Sequence, residues 1–232
     1  MSDRAALRVA TWNIHGFLGE GKRPDFERTL RLLRVIDADL LALQEVDART
    51  HFGREPFAFE RLREALGDHC VEARLFGPPG RDYGHLLWSR YPLEQAQVRP
   101  LPGPGFEPRA VIDAMAATPL GPVRVLATHF GLRPVARRRQ AALLAQLVRP
   151  GETSLAMGDF NEWRLSGMVD RTLRAVLTLA VQPASWPAKR PLVPMDRLYA
   201  SADLALARAD AFREAAPASD HLPVVAEFRR AG

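Results

Sequence analysis

The chain has 232 residues, 47% hydrophobic and 25% charged, enough apolar material for one large α/β domain or two small ones. No run of about 18 apolar residues occurs, so no membrane span is expected. The single cysteine, Cys70, excludes an intrachain disulfide and fits a reducing cytoplasm. The net charge of +5 would suit an anionic partner such as nucleic acid or a lipid headgroup. The basic residues are scattered among acids, however, and all but Lys22 and Lys189 are arginine, which a compositional taste for Arg explains as well.

The opening Met1-Ser-Asp-Arg-Ala-Ala lacks the basic and long apolar regions of a signal peptide. Leu7 to Asn13 reads as a strand ending on an amide, after which Ile14-His15-Gly16 turns away. Phe26, Leu30, Leu33 and Ile36 predict an amphipathic helix over 24–36, with Pro24 in its first turn. Asp39 to Glu45 is a buried strand ending on a carboxylate, and this βαβ order predicts a sheet with helices packed on it. A short helix over 57–66 is closed by Gly67, and strands follow at 70–76, 83–90, 93–98 and 109–118. The short Gly/Pro loops between them, with 100–108 the longest, indicate antiparallel pairing. Val123 to His129 is a further strand, a helix is expected over 134–148, and Ser154 to Gly158 is a short buried strand. A helix over 168–180, a Pro-rich loop from Pro183 to Pro194, a strand at 196–200 and a last strand at 222–228 complete the chain. No repeat, low-complexity tract or linker is present, so 1–232 is read as one domain.

Polar residues recur beside these apolar runs: Asn13, Glu45, His129, Asp159, Asn161, Asp196, Asp220 and His221. In Gly158-Asp159-Phe160-Asn161 the two polar side chains, two residues apart, face one side of an extended backbone. An Asx-turn with Asn161 capping a helix is the alternative for that segment alone. If the strands lie side by side, all eight groups converge at one sheet edge. Glu45 and Asp220 are hard oxygen donors and Asn13 offers a neutral carbonyl. With no thiolate in the set, Mg²⁺ or Mn²⁺ fits better than a soft metal. No HExxH or CxxC spacing supports zinc. A hard cation with histidines and amides suits phosphoryl chemistry, in which a carboxylate-positioned water attacks in line.

Thr-Trp-Asn13, Leu-Gln-Glu45-Val, Thr-His129, Gly-Asp159-Phe-Asn161 and Ser-Asp220-His221, in this order, resemble the endonuclease/exonuclease/phosphatase superfamily, the deoxyribonuclease I-like enzymes. The likeness runs from about residue 7 to 228, five ordered motifs over nearly the whole chain. It implies a four-layer α/β sandwich, two packed mixed β-sheets flanked by helices, and metal-dependent phosphoester hydrolysis. By the same resemblance Glu45 is the principal metal ligand, with Asn13 and Asp220 close by. Asp159 orients or deprotonates the attacking water, and Asn161 and His129 hold the phosphate. His221 is a second phosphate-facing histidine, and Asp196 is its hydrogen-bonding partner. Tyr83-Gly-His-Leu-Leu-Trp-Ser-Arg-Tyr-Pro, Glu107-Pro-Arg109-Ala and Trp186-Pro-Ala-Lys-Arg-Pro191 resemble a small bacterial branch, many of whose members carry Asn where His85 stands. Arg109, Tyr83 and His85 are the candidate substrate contacts.

Arg137 to Arg139 in the first turns of a helix could form a cationic rim, and Trp163 and Trp186 could stack on substrate or simply pack. His15, His51 and His69 have no motif context and read as ordinary surface or turn residues. Three functions follow: a Mg²⁺- or Mn²⁺-dependent phosphodiesterase on a small or lipid-derived phosphoester, favoured here; an endonuclease or exonuclease on DNA; and a non-catalytic phosphate-binding module. Nucleic acid is the less favoured partner because the loops carry no basic run interleaved with aromatics. Peripheral contact with lipid headgroups and a monomeric state complete the expectations.

Overall fold

Alternation along buried strands sends every second side chain to the same face, and here those faces meet. The computed structural model describes residues 6–21, 23–103, 105 and 107–232. The Met1–Ala5 lead-in and, from the predicted loops, Lys22, Pro104 and Phe106 lie outside the described residues. The strands are β1 (Leu7–Asn13), β2 (Leu40–Asp47), β3 (Cys70–Phe76), β4 (Tyr83–Ser89), β5 (Leu93–Leu101), β6 (Arg109–Thr118), β7 (Gly121–His129), β8 (Ser154–Asp159), β9 (Leu179–Val181), β10 (Asp196–Ala200), β11 (Leu204–Ala211) and β12 (Val224–Arg230). The helices are α1 (Phe26–Ile36), α2 (Ala58–Leu66), α3 (Pro134–Leu147) and α4 (Met168–Arg174).

One six-stranded sheet has the order β11-β12-β1-β2-β4-β3 and the other β5-β6-β7-β8-β10-β9. Each is mixed, because β1 pairs with β2 and β7 with β8 in parallel while the remaining pairs are antiparallel. Leu7, Val9, Leu40, Ala42 and Leu87 of the first sheet pack against Ile112, Val125, Leu155, Met157 and Leu198 of the second. The outer face of the first sheet, with Trp12, Leu41 and Leu43, is covered by α1 and α2 through Leu30, Leu33, Phe59 and Leu62. That of the second, with Leu126, Ala156 and Tyr199, is covered by α3 and α4 through Leu144, Val169 and Leu173. The result is the four-layer arrangement of two packed sheets between helices.

Three expectations need correction. The helix over 168–180 stops at Arg174, and Leu179–Val181 pairs with β10 as a short edge strand. Apolar spacing alone carried the longer helix, but the competing β-ladder takes the last residues. Strand β11 was not expected, since its six central residues are exposed and give no apolar alternation. Its pairing to β12 supplies the order instead. Helix α1 starts after Pro24, with the Asp25 carboxylate accepting from the Arg28 N–H at 2.8 Å as N-cap.

Candidate active site

The polar strand ends share the parity of the inter-sheet core. Asn13 continues the row Leu7, Val9; His129 continues Val123, Val125, Ala127; Asp159 continues Leu155, Met157; and Asp196 precedes Leu198, Ala200. Register fixes their depth: His129 lies opposite Asp159, and Asp159 opposite Asp196. The close approach requires Gly158, at φ +151°, since a Cβ there would sit 2.0 Å from the Thr128 carbonyl oxygen.

Asp159 is the hub. Its Oδ2 accepts from Asn13 Nδ2 at 3.1 Å and lies 3.6 Å from His129 Nε2 and 4.0 Å from His221 Nε2. Its Oδ1 accepts the Asn161 N–H at 2.9 Å, so the Asx-turn is present. Asn161, at φ +51°, donates its amide to the Phe130 carbonyl and caps no helix, α4 beginning only at Met168. His221 Nδ1 and Asp196 Oδ2 are 2.8 Å apart, and Ser185 Oγ donates to the same oxygen at 2.6 Å. The His221 backbone is pinned by Trp12 Nε1, which donates to its carbonyl at 3.0 Å, and by Ser219 Oγ, which accepts its N–H.

Burial raises the Asp159 carboxyl, with the nearby Asp196 charge adding to the rise and His221 opposing it. Burial works against charging His221, but Asp196, Asp159 and Asp220 outweigh it and hold the imidazole protonated above its ordinary range. His129 behaves oppositely: burial and the Arg109 cation keep it neutral, well below the usual value. Arg109 Nη1 lies 3.2 Å from His129 Nδ1 and can only donate, so His129 carries its proton on Nε2, facing Asp159.

Glu45 reaches the site through a backbone irregularity. Leu41 and Leu43 point to the helix layer, and alternation would send residue 45 with them. A bulge between Leu43 and Val46 and a left-handed Glu45, at φ +54°, turn its side chain inward, and Val46 resumes the helix-facing row. Glu45 Oε1 then accepts from Asn13 Nδ2 at 3.0 Å. His15, read from sequence as an ordinary turn histidine, belongs to the site. Its Nδ1 lies 3.4 Å from Glu45 Oε2 and 3.5 Å from Asp220 Oδ1. The Glu45 contact raises His15, burial opposes, and Asp220 adds to the rise. Its backbone N–H donates to Asn13 Oδ1, so the oxygen expected to face a metal is engaged and Asn13 instead bridges Glu45 and Asp159 through its NH₂. The only sequence signal for His15 was its place two residues beyond Asn13.

A cation fits the residues present. Burial resists ionisation of Glu45, yet His15, His129 and Asn13 hold it well below the usual carboxylate range. Glu45 and Asp220 are hard-oxygen donors, and each approaches His15 Nδ1. Among the described residues the compact group is Asp159, Asp196 and His221, with one ligand atom each within 4.8 Å of the others. Two atoms of that group are already joined to each other by the His221–Asp196 hydrogen bond.

Arg109 is buried, donates to Tyr83 Oη at 3.3 Å and pairs with Glu107 at 2.9 Å. Burial raises the Tyr83 phenol further above its ordinary range, leaving it a neutral hydroxyl. His85 is 1% exposed, and neither ring nitrogen is in a hydrogen bond; the Arg109 charge reaches it. Of the arginine run only Arg137 turns toward the site, while Arg138 and Arg139 are exposed. His51 and His69 are exposed, as expected.

Residues 10–221 match the profile of the Endonuclease/Exonuclease/phosphatase family. Uncharacterized protein YbhP of Escherichia coli K12 is 31% identical over 243 residues, with 96% of each chain covered. The endonuclease/exonuclease/phosphatase of Beutenbergia cavernae superposes with a TM-score of 0.78 at 24% identity, over 98% of this chain and 72% of that one. The human Nocturnin catalytic domain with bound sulfate gives 0.73 at 20% identity, over 98% and 96%. No helix among the described residues is long and apolar enough to cross a membrane. Matched along nearly its whole length, with the sandwich fold in place and its motif residues gathered at one edge, the chain belongs to the endonuclease/exonuclease/phosphatase family of phosphoester hydrolases.

Proposed function

We propose that the chain, acting as one domain, hydrolyses a small or lipid-derived phosphodiester with Mg²⁺ or Mn²⁺. The observation that carries this reading is the position of Asp159 Oδ2, within 3.1–4.0 Å of Asn13, His129 and His221 at once. A water beside that oxygen would be flanked by groups able to hold a phosphate. Glu45 and Asp220 would hold the cation, whose charge when bound would neutralise the phosphate oxygens and polarise the ester. Asn13 fixes the Glu45 and Asp159 carboxylates relative to one another.

Asp196, Asp159 and Asp220 favour the protonated form of His221, and burial raises the proton affinity of Asp159; both directions support Asp159 as the group that takes the proton of the attacking water. His129 Nε2–H and the remaining amide proton of Asn161 donate to the phosphate, while Arg109 holds His129 in the donor tautomer. His221 stabilises the developing charge, and Asp196 orients it. The test is kcat/KM measured side by side on a phospholipid, a small chromogenic diester, plasmid DNA and an abasic oligonucleotide at matched Mg²⁺ and moderate salt. The lipid or small diester should lead. DNA nicking that outpaces both and vanishes in Asp159→Asn would reverse the reading in favour of a nuclease.

A further inference from the structure

A cleft of about 690 Å³ adjoins the catalytic groups and takes no part in the chemistry above. Asn161 stands on its wall, so the two spaces are continuous; Leu132, Arg137, Trp163 and Trp186 form other parts of its lining. Segments 132–139 and 163–167 border it, and so does Trp186, whose backbone is bonded to Leu192 and Val193 of the 186–193 turn. Eleven large hydrophobic residues are exposed among the described residues, and five of them, Leu132, Val135, Trp163, Leu165 and Leu192, fall in these short segments at 56–72% exposure. Apolar groups so gathered mark a contact surface, where singly scattered ones would not.

The same three segments contain seven arginine or lysine residues; Lys189 pairs with Glu20 and lines another pocket, and Glu162, next to Trp163, stands on the cleft wall, so six arginines face one acid. Charges scattered along the chain are thus collected at one face by the fold. Arg137 Nε is buried without a partner on the cleft wall. Four of the five exposed apolar residues are aliphatic and offer no face for base stacking, which separates this rim from a single-strand track. Leucine, valine and tryptophan ringed by cations are what an anionic lipid interface accepts.

We propose that this rim is a docking face for an anionic lipid surface, seating the site over a lipid phosphoester whose remaining part enters the cleft. The proposal rests on the phosphoester reading of the adjacent centre. It is tested without turnover, by sedimenting the full-length Asp159→Asn protein with vesicles of phosphatidylcholine alone or containing about 30 mol% phosphatidylglycerol. Binding is expected to the anionic vesicles, weak to the neutral ones, and to fall with salt. Leu132→Ser with Leu165→Ser should lower the vesicle-bound partition about tenfold or more. Arg138→Glu with Arg139→Glu, both exposed, tests the charge half should the first pair fail to fold, and should weaken binding comparably. Absence of binding to anionic vesicles, or binding that neither pair alters, overturns the proposal. Capture of single-stranded DNA but not vesicles, lost in the same variants, overturns it in favour of nucleic acid. Vesicle binding by Asp159→Asn together with no hydrolysis of any phosphoester by the wild-type protein would instead remove the catalytic reading and leave the docking face standing.

Discussion

Replacing His85 isolates one buried titration. The ring is 1% exposed; burial and the Arg109 cation lower it to about 3, against a weaker pull from the Ala127 backbone, where an unfolded chain would have the ordinary imidazole value of 6.5. Between these values the unfolded chain binds the proton and the folded one does not, so stability falls as pH falls from 6.5 toward 3. From pH 7 to pH 5 the unfolded imidazole goes from mostly neutral to almost fully charged, which costs the native state about 2 kcal/mol. His85→Asn removes that dependence. Urea unfolding of both proteins at pH 7 and pH 5 reads it directly: wild type should lose about 2 kcal/mol more than the variant, whatever the variant's stability at pH 7. His129 shifts in the same direction, chiefly through burial and Arg109, and both of those remain in the variant. Equal losses would refute the reasoning, because His85 would then take up its proton in the folded state at an ordinary pH.

Chelation should abolish hydrolysis and Mg²⁺ or Mn²⁺ restore it, with Glu45→Gln weakening metal dependence and rate together; full turnover in excess chelator would remove the metal assignment. Asp159→Asn and His221→Ala should each lower kcat by about 10²-fold or more in steady-state assays. Because Asp159 is buried and its charged form is disfavoured there, Asp159→Asn should melt no lower than wild type, and a variant that unfolds while keeping specific activity would make the residue structural. Gly158→Ala should cost at least about 2 kcal/mol in the same urea titration, since its Cβ would strike the Thr128 carbonyl of β7; a near-neutral change would show that the strands can separate freely.

Much of the site was legible in the sequence because strand alternation is local. Once Leu7 and Val9, or Leu155 and Met157, are taken as core, Asn13 and Asp159 are committed to the same face, and ordered motifs say which ends matter. Glu45 was found by its motif but not by its geometry, since a bulge and a left-handed backbone invert the face that period two assigns it. His15 carried no apolar run to flag it, and its partners Glu45 and Asp220 reach it from distant parts of the chain. Strand β11 was illegible because its exposed residues have no pattern, and its order comes from hydrogen bonds to β12. The cationic and apolar rim is likewise absent from any window of sequence. Its three segments are distant along the chain, and charge that averages out in one dimension accumulates only where the fold brings those loops around one cleft. Local chemistry thus determined which groups stand at the strand ends, and long-range packing decided which of them touch and what surface surrounds them.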